Sequence, residues 1–274
     1  RVNPLLVTEH ANIERATAQG GYGRRQIYEL VQNGADAMLN QPGGKIHILL
    51  TESALYCANQ GEPINCDGVD AILSSHLSVK RGAEIGRFGL GFKSVLGVTD
   101  QPEFYSRSGS FRFDAQISEQ RIREILPDAA RIPVLRIASP IDPLRSSLTD
   151  PNLQDLMMWA TSIVKLPLKR QSIQWLSEDI KAFPAEFLLF SSHVGSLILE
   201  DQTKNRSRNI ILETIDNRIV LREDDEQSIW RVFHTDHRPS PAARQDAGEL
   251  ADRETLPVMW AAPLRGRSAR GKFW

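Results

Sequence analysis

Three polar side chains share one face of a helix predicted over residues 24–39. At about 100° per residue, Glu29, Asn33 and Asp36 fall within about 60° of one another, and apolar residues occupy the opposite side. A carboxylate can act as a general base toward water. An amide oxygen one turn away can coordinate Mg²⁺, a cation that prefers oxygen ligands. Taken alone, such a face is more often simply solvated.

A glycine-rich segment, Gly86 to Ser94, leads into a second helix predicted over Gly89–Val98. Glycine lets a backbone approach a ligand closely, and the start of a helix turns unpaired N–H groups toward an anion. Lys93 and Ser94 would add a charge and a hydroxyl donor. The spacing matches neither a P-loop nor a dinucleotide-binding fingerprint. Alone, the segment is equally well described as a tight turn with a helix cap.

A short turn follows a strand predicted over Ala54–Ala58. Asn59 could accept a hydrogen bond from an adenine amino group and donate one to a ring nitrogen. Gly61 would keep the backbone clear of the base. Read alone, this segment is an ordinary Asn-x-Gly turn.

The order of the three segments resembles that of the GHKL, or Bergerat-fold, ATPases. Within them the chain is most similar to sacsin-type and other ninety-kilodalton heat-shock-chaperone-like ATPase domains. Tyr28–Ala37 resembles their first box, Ile85–Val95 resembles their glycine box, and Ser78-Val79-Lys80 resembles a short element of their lid. The resemblance covers about Gly20–Phe113, and its strength lies in the three motifs occurring together.

The resemblance implies a role for each motif. Glu29 would activate the attacking water, Asn33 would hold Mg²⁺, and residues 76–87 would form a mobile ATP lid. Asn59 stands where most of the superfamily has Asp, which puts affinity for adenine in question. The implied ATP- and Mg²⁺-binding residues are Asn33, Asp36, Asn59, Gly61, Lys80, Gly86, Arg87, Phe88, Gly89, Leu90, Gly91, Phe92, Lys93, Ser94 and Thr161.

The elements that must position these residues predict an α+β fold. We expect a two-layer α/β sandwich of the Bergerat type with a mixed, mainly antiparallel sheet. Strands are predicted at Lys45–Leu50, Ala54–Ala58, Glu103–Arg107, Ser110–Ala115, Ile132–Ile137 and Ser162–Leu166, and a meander at 195–199, 209–214, 219–222 and 229–234. We expect an ATP-binding domain over residues 1–170 and, over 171–274, a β-rich extension leading into a truncated following domain.

Composition bounds the classes of partner. The 274 residues carry a net charge of -1, so no global field favours nucleic acid or an anionic membrane. Two cysteines make no disulfide framework, and no apolar run approaches the roughly 18 residues of a membrane span. We therefore expect a cytoplasmic protein with no membrane contact, for which nucleic acid is an unfavoured partner. The chain begins with Arg1, so we expect it to be a fragment.

The predicted function is an ATPase module that drives conformational change in a larger chaperone-like or defence-type protein with an unidentified client. In such ATPases a following domain often supplies a Lys or Arg to the γ-phosphate, so slow or absent turnover is expected of the fragment. Arg265, Arg267, Arg270 and Lys272 are weak candidates for that group. The alternatives are an ATP-regulated binding module without hydrolysis, a histidine-kinase-like domain and a topoisomerase- or MutL-like DNA machine. A homodimer through the lid stays open.

Overall fold

The computed structural model describes residues 4–19, 24–73, 91–245 and 254–265. Eight α-helices are described: α1 Pro4–Gln19, α2 Gln26–Asp36, α3 Cys66–Leu73, α4 Ala115–Ile125, α5 Pro143–Ser147, α6 Pro151–Met157, α7 Ile173–Ala182 and α8 Pro241–Gln245. Three 3-10 helices are described as well: Phe92–Gly97, Arg170–Ser172 and Ala185–Phe190. The strands are β1 Gly44–Leu50, β2 Ala54–Asn59, β3 Glu103–Ser106, β4 Gly109–Phe113, β5 Ala138–Pro140, β6 Ser162–Pro167, β7 Val194–Asp201, β8 Arg206–Ile215, β9 Arg218–Glu223, β10 Glu226–His237 and β11 Leu256–Arg265.

All the described strands belong to one mixed sheet. Its 11 strands run in the order β11-β10-β9-β8-β7-β1-β2-β6-β3-β4-β5. The pair β1–β7 is parallel and the other pairs are antiparallel. The mixed, mainly antiparallel sheet and the α+β class are thus confirmed, as are the β1–β2 and β3–β4 hairpins and the β7–β10 meander.

Helices cover the two faces of the sheet unequally. On one face, α2, α7 and the 3-10 helices Phe92–Gly97 and Ala185–Phe190 build the larger apolar core with β1, β2 and β7–β10. On the other face, α6 covers only β1, β2, β3 and β6, over a smaller cluster that includes Leu49, Tyr56 and Ile163. Side chains alternate between the faces of a strand, so both clusters draw on β1 and β2.

The amphipathic pattern of α2 fixes which side chains leave the core. Ile27, Leu30 and Val31 are at most 2% exposed and pack against the sheet, while Glu29 and Asn33 remain half-buried. The α-helix ends at Asp36, earlier than the predicted Leu39, and a hydrogen-bonded turn continues the chain. The predicted two-faced helix is therefore present, with a shorter C-terminal end.

The strand predicted at Ile132–Ile137 was wrong. That segment is irregular, and the strand lies at Ala138–Pro140 instead. Alternating apolar residues suggested a ladder, but Pro133 has no N–H to donate. The next two backbone N–H groups, of Val134 and Leu135, donate to the Glu14 carboxylate at 2.6 and 3.0 Å. A side chain from α1 thus replaces a neighbouring strand.

Five described α-helices, α4 to α8, escaped the sequence reasoning, and three of them have an aspartate start signal. The side chains of Asp114, Asp142 and Asp150 accept hydrogen bonds from the first backbone N–H groups of α4, α5 and α6. Proline stands at the first positions of α5 and α6, where its missing N–H costs nothing. The Asp-Pro pair at the start of each would have predicted both of these helices.

The sheet continues through the predicted domain boundary at residue 170. The strands β6 and β7 lie on either side of that position in the chain, and both belong to the same sheet. The division into residues 1–170 and 171–274 stays a prediction. None of the described helices is both long and apolar enough to cross a membrane.

Candidate functional site

Helix α2 is where the separated sequence motifs meet. A Cβ added to Gly34 would lie 3.2 Å from Ile46 Cδ1 and 3.6 Å from Asn59 Cβ, so β1 and the end of β2 approach the helix closely. At the turn after β2, the N–H of Glu62 donates to the Ala37 carbonyl at 2.7 Å. The Asn-x-Gly turn is therefore held against the C-terminal end of the helix.

The end of the glycine-rich segment contacts the other end of the helix face. A Cβ added to Gly91 would overlap Glu29 Oε2 and would lie 2.7 Å from Glu29 Cδ. Gly91 has φ -60° and ψ -46°, a conformation open to any residue. The observed position of the Glu29 carboxylate thus leaves no room for a side chain at Gly91, whose backbone conformation is unstrained.

The Glu29 carboxylate is electrostatically poised as a proton acceptor. Burial raises its pKa above the usual value, Arg25 opposes the rise, and the nearby Asp36 adds to it. Within the described residues the carboxylate makes no hydrogen bond and no ion pair. A half-buried carboxylate with a raised pKa is a stronger base than a solvated one.

Asn33 and Asp36 lie on the same side of α2 as Glu29. Asn33 is half-buried, and its amide group forms no side-chain hydrogen bond within the described part of the chain. Asp36 is 8% exposed. Among the described residues no three His, Cys, Asp or Glu side chains cluster as metal ligands. A Mg²⁺ ion at Asn33 would therefore take most of its oxygen ligands from phosphate and water, as Mg²⁺ commonly does.

Asn59 organises the turn that follows β2. Its Oδ1 accepts a hydrogen bond from the Gly61 N–H at 3.0 Å, and its backbone carbonyl accepts one from the Thr161 N–H at 2.8 Å. The remaining lone pair of Oδ1 and the side-chain NH₂ group stay available to a ligand. A side chain at position 61 is excluded sterically, because a Cβ added to Gly61 would lie 2.5 Å from the backbone C and O atoms of Ala37.

Phe92, Lys93 and Ser94 point into the protein. Each is at most 2% exposed, and Ser94 Oγ has no hydrogen-bond partner within the described residues. Burial lowers the pKa of Lys93 to about 8, and the Glu14 carboxylate partly offsets the effect. Contact of these side chains with phosphate stays a prediction. Within the glycine-rich segment, Gly91 is the described residue whose backbone closely approaches the Glu29 carboxylate.

Several predicted residues lie outside the described part of the chain. They are Lys80, Gly86, Arg87, Phe88, Gly89 and Leu90, together with the predicted lid at 76–87 and the basic residues Arg267, Arg270 and Lys272.

Three residues that the sequence reasoning missed hold elements of the site, or helices packed beside it, in place through hydrogen bonds. Gln26 Nε2 donates to the Ser94 carbonyl at 2.8 Å and joins α2 to the 3-10 helix that follows Gly91. His193 Nε2 lies 2.8 Å from the Ala35 carbonyl, near the end of α2. Glu14 fastens α1 to the segment after α4. No sequence motif marks Glu14 or His193, because each acts across more than 100 residues, whereas Gln26 adjoins the first box.

A cavity of about 510 Å³ opens elsewhere, between the start of α7 and the turns that follow β1 and β7. It contains none of the predicted site residues. Its polar lining includes Glu52, Arg170, Gln174 and Lys204, all exposed.

Comparison with known proteins gives one partial similarity. No protein-family model matches the chain. Over 131 residues the chain is 33% identical to Protein NO VEIN of Arabidopsis thaliana. The match covers 45% of this chain and 5% of that much longer protein. The chain is therefore similar to a small part of this relative.

Proposed function

We propose that the chain is an ATP-binding, Mg²⁺-dependent ATP-hydrolysing module of the Bergerat-fold type. It would drive conformational change in a larger chaperone-like or defence-type protein. The observation that carries the proposal is the close approach of Gly91 to the Glu29 carboxylate. It brings together the first box and the glycine box, 62 residues apart, beside the hydrogen bond from Gln26 Nε2 to the Ser94 carbonyl.

Glu29 is the residue proposed to act on water. Its raised pKa, half-burial and lack of competing hydrogen bonds suit a general base that accepts a proton from the attacking water. A base of this kind is needed for hydrolysis but not for transfer of a phosphoryl group to a histidine. The proposal therefore favours an ATPase over a histidine-kinase-like domain.

The residues around Glu29 suit a nucleotide and its metal ion. The Asn33 amide oxygen is the proposed protein ligand of Mg²⁺, which when bound would neutralise charge on the phosphate oxygens. Asn59 and Thr161, joined by a backbone hydrogen bond of 2.8 Å, are the proposed adenine-side contacts. The glycines fit this assignment, since a Cβ at Gly61 or Gly91 would overlap its neighbours.

The remaining assignments concern the larger protein. The mixed sheet with its main helices on one face is compatible with a Bergerat fold. The client, a homodimer through the lid and a γ-phosphate contact supplied by a following domain all belong to this proposal. An ATP-regulated binding module without hydrolysis uses the same pocket and differs only in turnover.

The test compares binding and hydrolysis in the longest chain that expresses. Calorimetry with ATP and Mg²⁺ should show similar affinity for wild type and Glu29→Gln, while hydrolysis by the variant should fall about 10²–10⁴-fold, as expected for loss of a general base. Glu124→Gln on α4, an exposed carboxylate, is the matched control and should hydrolyse ATP normally.

Two outcomes would redirect the proposal. If wild type and Glu29→Gln bind ATP equally and neither hydrolyses it, the chain is a binding module. If wild type binds no ATP, the nucleotide pocket itself is wrong. Asn33→Ala tests the metal separately, because it should lose the Mg²⁺-dependent part of ATP affinity while retaining the Mg²⁺-independent part.

A further inference from the structure

The second face of the sheet is bare at one end. The α6 helix and its apolar cluster cover this face at β1, β2, β3 and β6. None of the described helices is packed on this face at β10 and β11. The 3-10 helix Ala185–Phe190 contacts these strands from the opposite, core side, where Val232 and Ala261 are packed. Side chains on the bare side are Phe233, Trp260 and Val258, which are 37%, 48% and 42% exposed.

Strand register places aromatic and basic side chains together on this bare side. Phe233 pairs with Trp260 and Arg231 with Ala262, so these residues share one face. Ile229 pairs with Val220, so Arg218, two residues from Val220, lies on that face as well. Ile229 also pairs with Arg265, beside a register shift between Ile229 and Trp230, so Arg265 lies at the end of this face. We call this surface the ribbon face, defined by Phe233, Trp260, Val258, Arg218, Arg231 and Arg265.

The aromatic pair forms a two-ring platform in which each ring covers one face of the other. The Phe233 and Trp260 rings stack across the two strands with centroids 5.3 Å apart and planes 13° apart. A cross-strand aromatic pair contributes about 0.2–1 kcal/mol to a sheet, which gives a structural reason for the contact. It gives no reason for leaving nearly half of Trp260 in solvent on an edge strand. Each ring covers only one face of the other, so the second face of each partly exposed ring is left for a planar ligand.

The charges of the ribbon face are positive and uncompensated. Arg218, Arg231 and Arg265 are exposed, and their guanidinium groups make no hydrogen bond or ion pair among the described residues. Arg222, on the same face, is by contrast paired with Glu213 at 2.8 Å. The chain as a whole has a net charge of -1, so this excess is local. A partner that fits must be anionic.

We propose that the ribbon face binds single-stranded nucleic acid. Unpaired bases stack on exposed aromatic rings whatever their sequence, and arginines beside the rings contact the backbone phosphates. A duplex hides its bases from such a platform, and an acidic peptide satisfies the arginines without using flat rings. The inference is independent of the proposed ATPase site, which lies on the other face of the sheet.

The test measures binding of a fluorescein-labelled oligothymidylate to the full chain by anisotropy at low salt. Trp260→Ala should weaken binding about 5- to 150-fold, the equivalent of about 1–3 kcal/mol for one stacked base. Arg231→Glu should also weaken binding and should lower the slope of log K against log salt by about 0.7 or more. Trp260→Phe keeps an aromatic ring and should retain most of the affinity.

Matched controls separate the ribbon face from general charge and apolarity. Arg121→Glu on α4 and Leu148→Ala after α5, both exposed residues away from the ribbon face, should bind as wild type does. Circular dichroism of each variant checks that the fold is kept, and Arg231→Glu carries the test if Trp260→Ala unfolds. The proposal is overturned if wild type does not bind the oligonucleotide, if folded Trp260→Ala or folded Arg231→Glu binds as well as wild type, or if duplex DNA or polyglutamate binds more tightly.

Discussion

Replacing Gly91 by alanine should separate catalysis from stability. The new Cβ would overlap Glu29 Oε2 and lie 2.7 Å from Glu29 Cδ, whereas ordinary carbon contacts begin near 3.4 Å. The backbone at Gly91 is helical, with φ -60°, so alanine fits the main chain there. The strain falls on the flexible end of the Glu29 side chain, which must move by about 1 Å.

The expected result is a folded protein with a damaged reaction. Gly→Ala at a compatible backbone conformation stabilises by about 0.4–1 kcal/mol through the unfolded state, which offsets the small cost of turning a side chain. The melting temperature should therefore change little. Misplacing a catalytic group by about 1 Å costs on the order of 10²-fold in rate, so ATP hydrolysis should fall by about that factor.

The double variant Gly91→Ala, Glu29→Ala sharpens the test. Removal of the carboxylate removes the overlap, so the double variant should hydrolyse ATP at the rate of Glu29→Ala alone, since residues that act as a unit are not additive. Steady-state phosphate release, with calorimetry for ATP affinity, gives both numbers. A folded Gly91→Ala protein with the wild-type rate would refute the assignment of Glu29 as the base.

Three further outcomes follow from the same contacts. Gly61→Ala should lower the free energy of unfolding by about 1–3 kcal/mol, because the added Cβ meets rigid backbone atoms of Ala37 at 2.5 Å; urea denaturation measures it. The buried Lys93 has a folded-state pKa of about 8, below its unfolded value of 10.5. Because the unfolded chain holds this proton more tightly, the free energy of unfolding should rise by up to about 3 kcal/mol between about pH 8 and pH 10.5. This gain is lost again as pH falls through about 8. Urea titrations across this window should show the rise in wild type and not in Lys93→Met. A chain ending at Arg170 should show no cooperative thermal transition by circular dichroism, because it loses β7 from beside β1.

Local patterns carried most of what the sequence could predict. The polar face of α2 follows from residue spacing alone, and the β1–β2 hairpin follows from two apolar runs around a short turn. The order of the three motifs predicted which segments should meet. In the structure Gly34 lies beside Asn59, and Gly91 lies beside Glu29; a common nucleotide pocket stays a prediction.

The same reasoning failed where a hydrogen bond or a packing contact comes from a distant part of the sequence. The apolar alternation around Val134 matches a strand, yet its N–H donates to Glu14, 120 residues earlier in the chain. Similarly, the burial of Lys93 depends on α1, whose sequence gives no hint of the glycine-rich segment. When a distant side chain takes the place of a neighbouring strand or of water, neither of the two contacting segments shows a periodic pattern that reveals the contact.

The proposed site depends on residues beyond the motifs that define it. The β7 strand runs parallel to β1, and just before it His193 accepts the Gly43 N–H at its carbonyl while its ring lies 2.8 Å from the Ala35 carbonyl. The Phe183 ring packs at a tilt and the Phe187 ring packs edge-on against Tyr28, the residue before Glu29, with centroids 4.9 and 5.4 Å away. The orientation of α2, and with it the approach of Glu29 to Gly91, is therefore set from the C-terminal half of the chain. The proposed nucleotide chemistry of the first half would therefore depend on the second half for the position of Glu29.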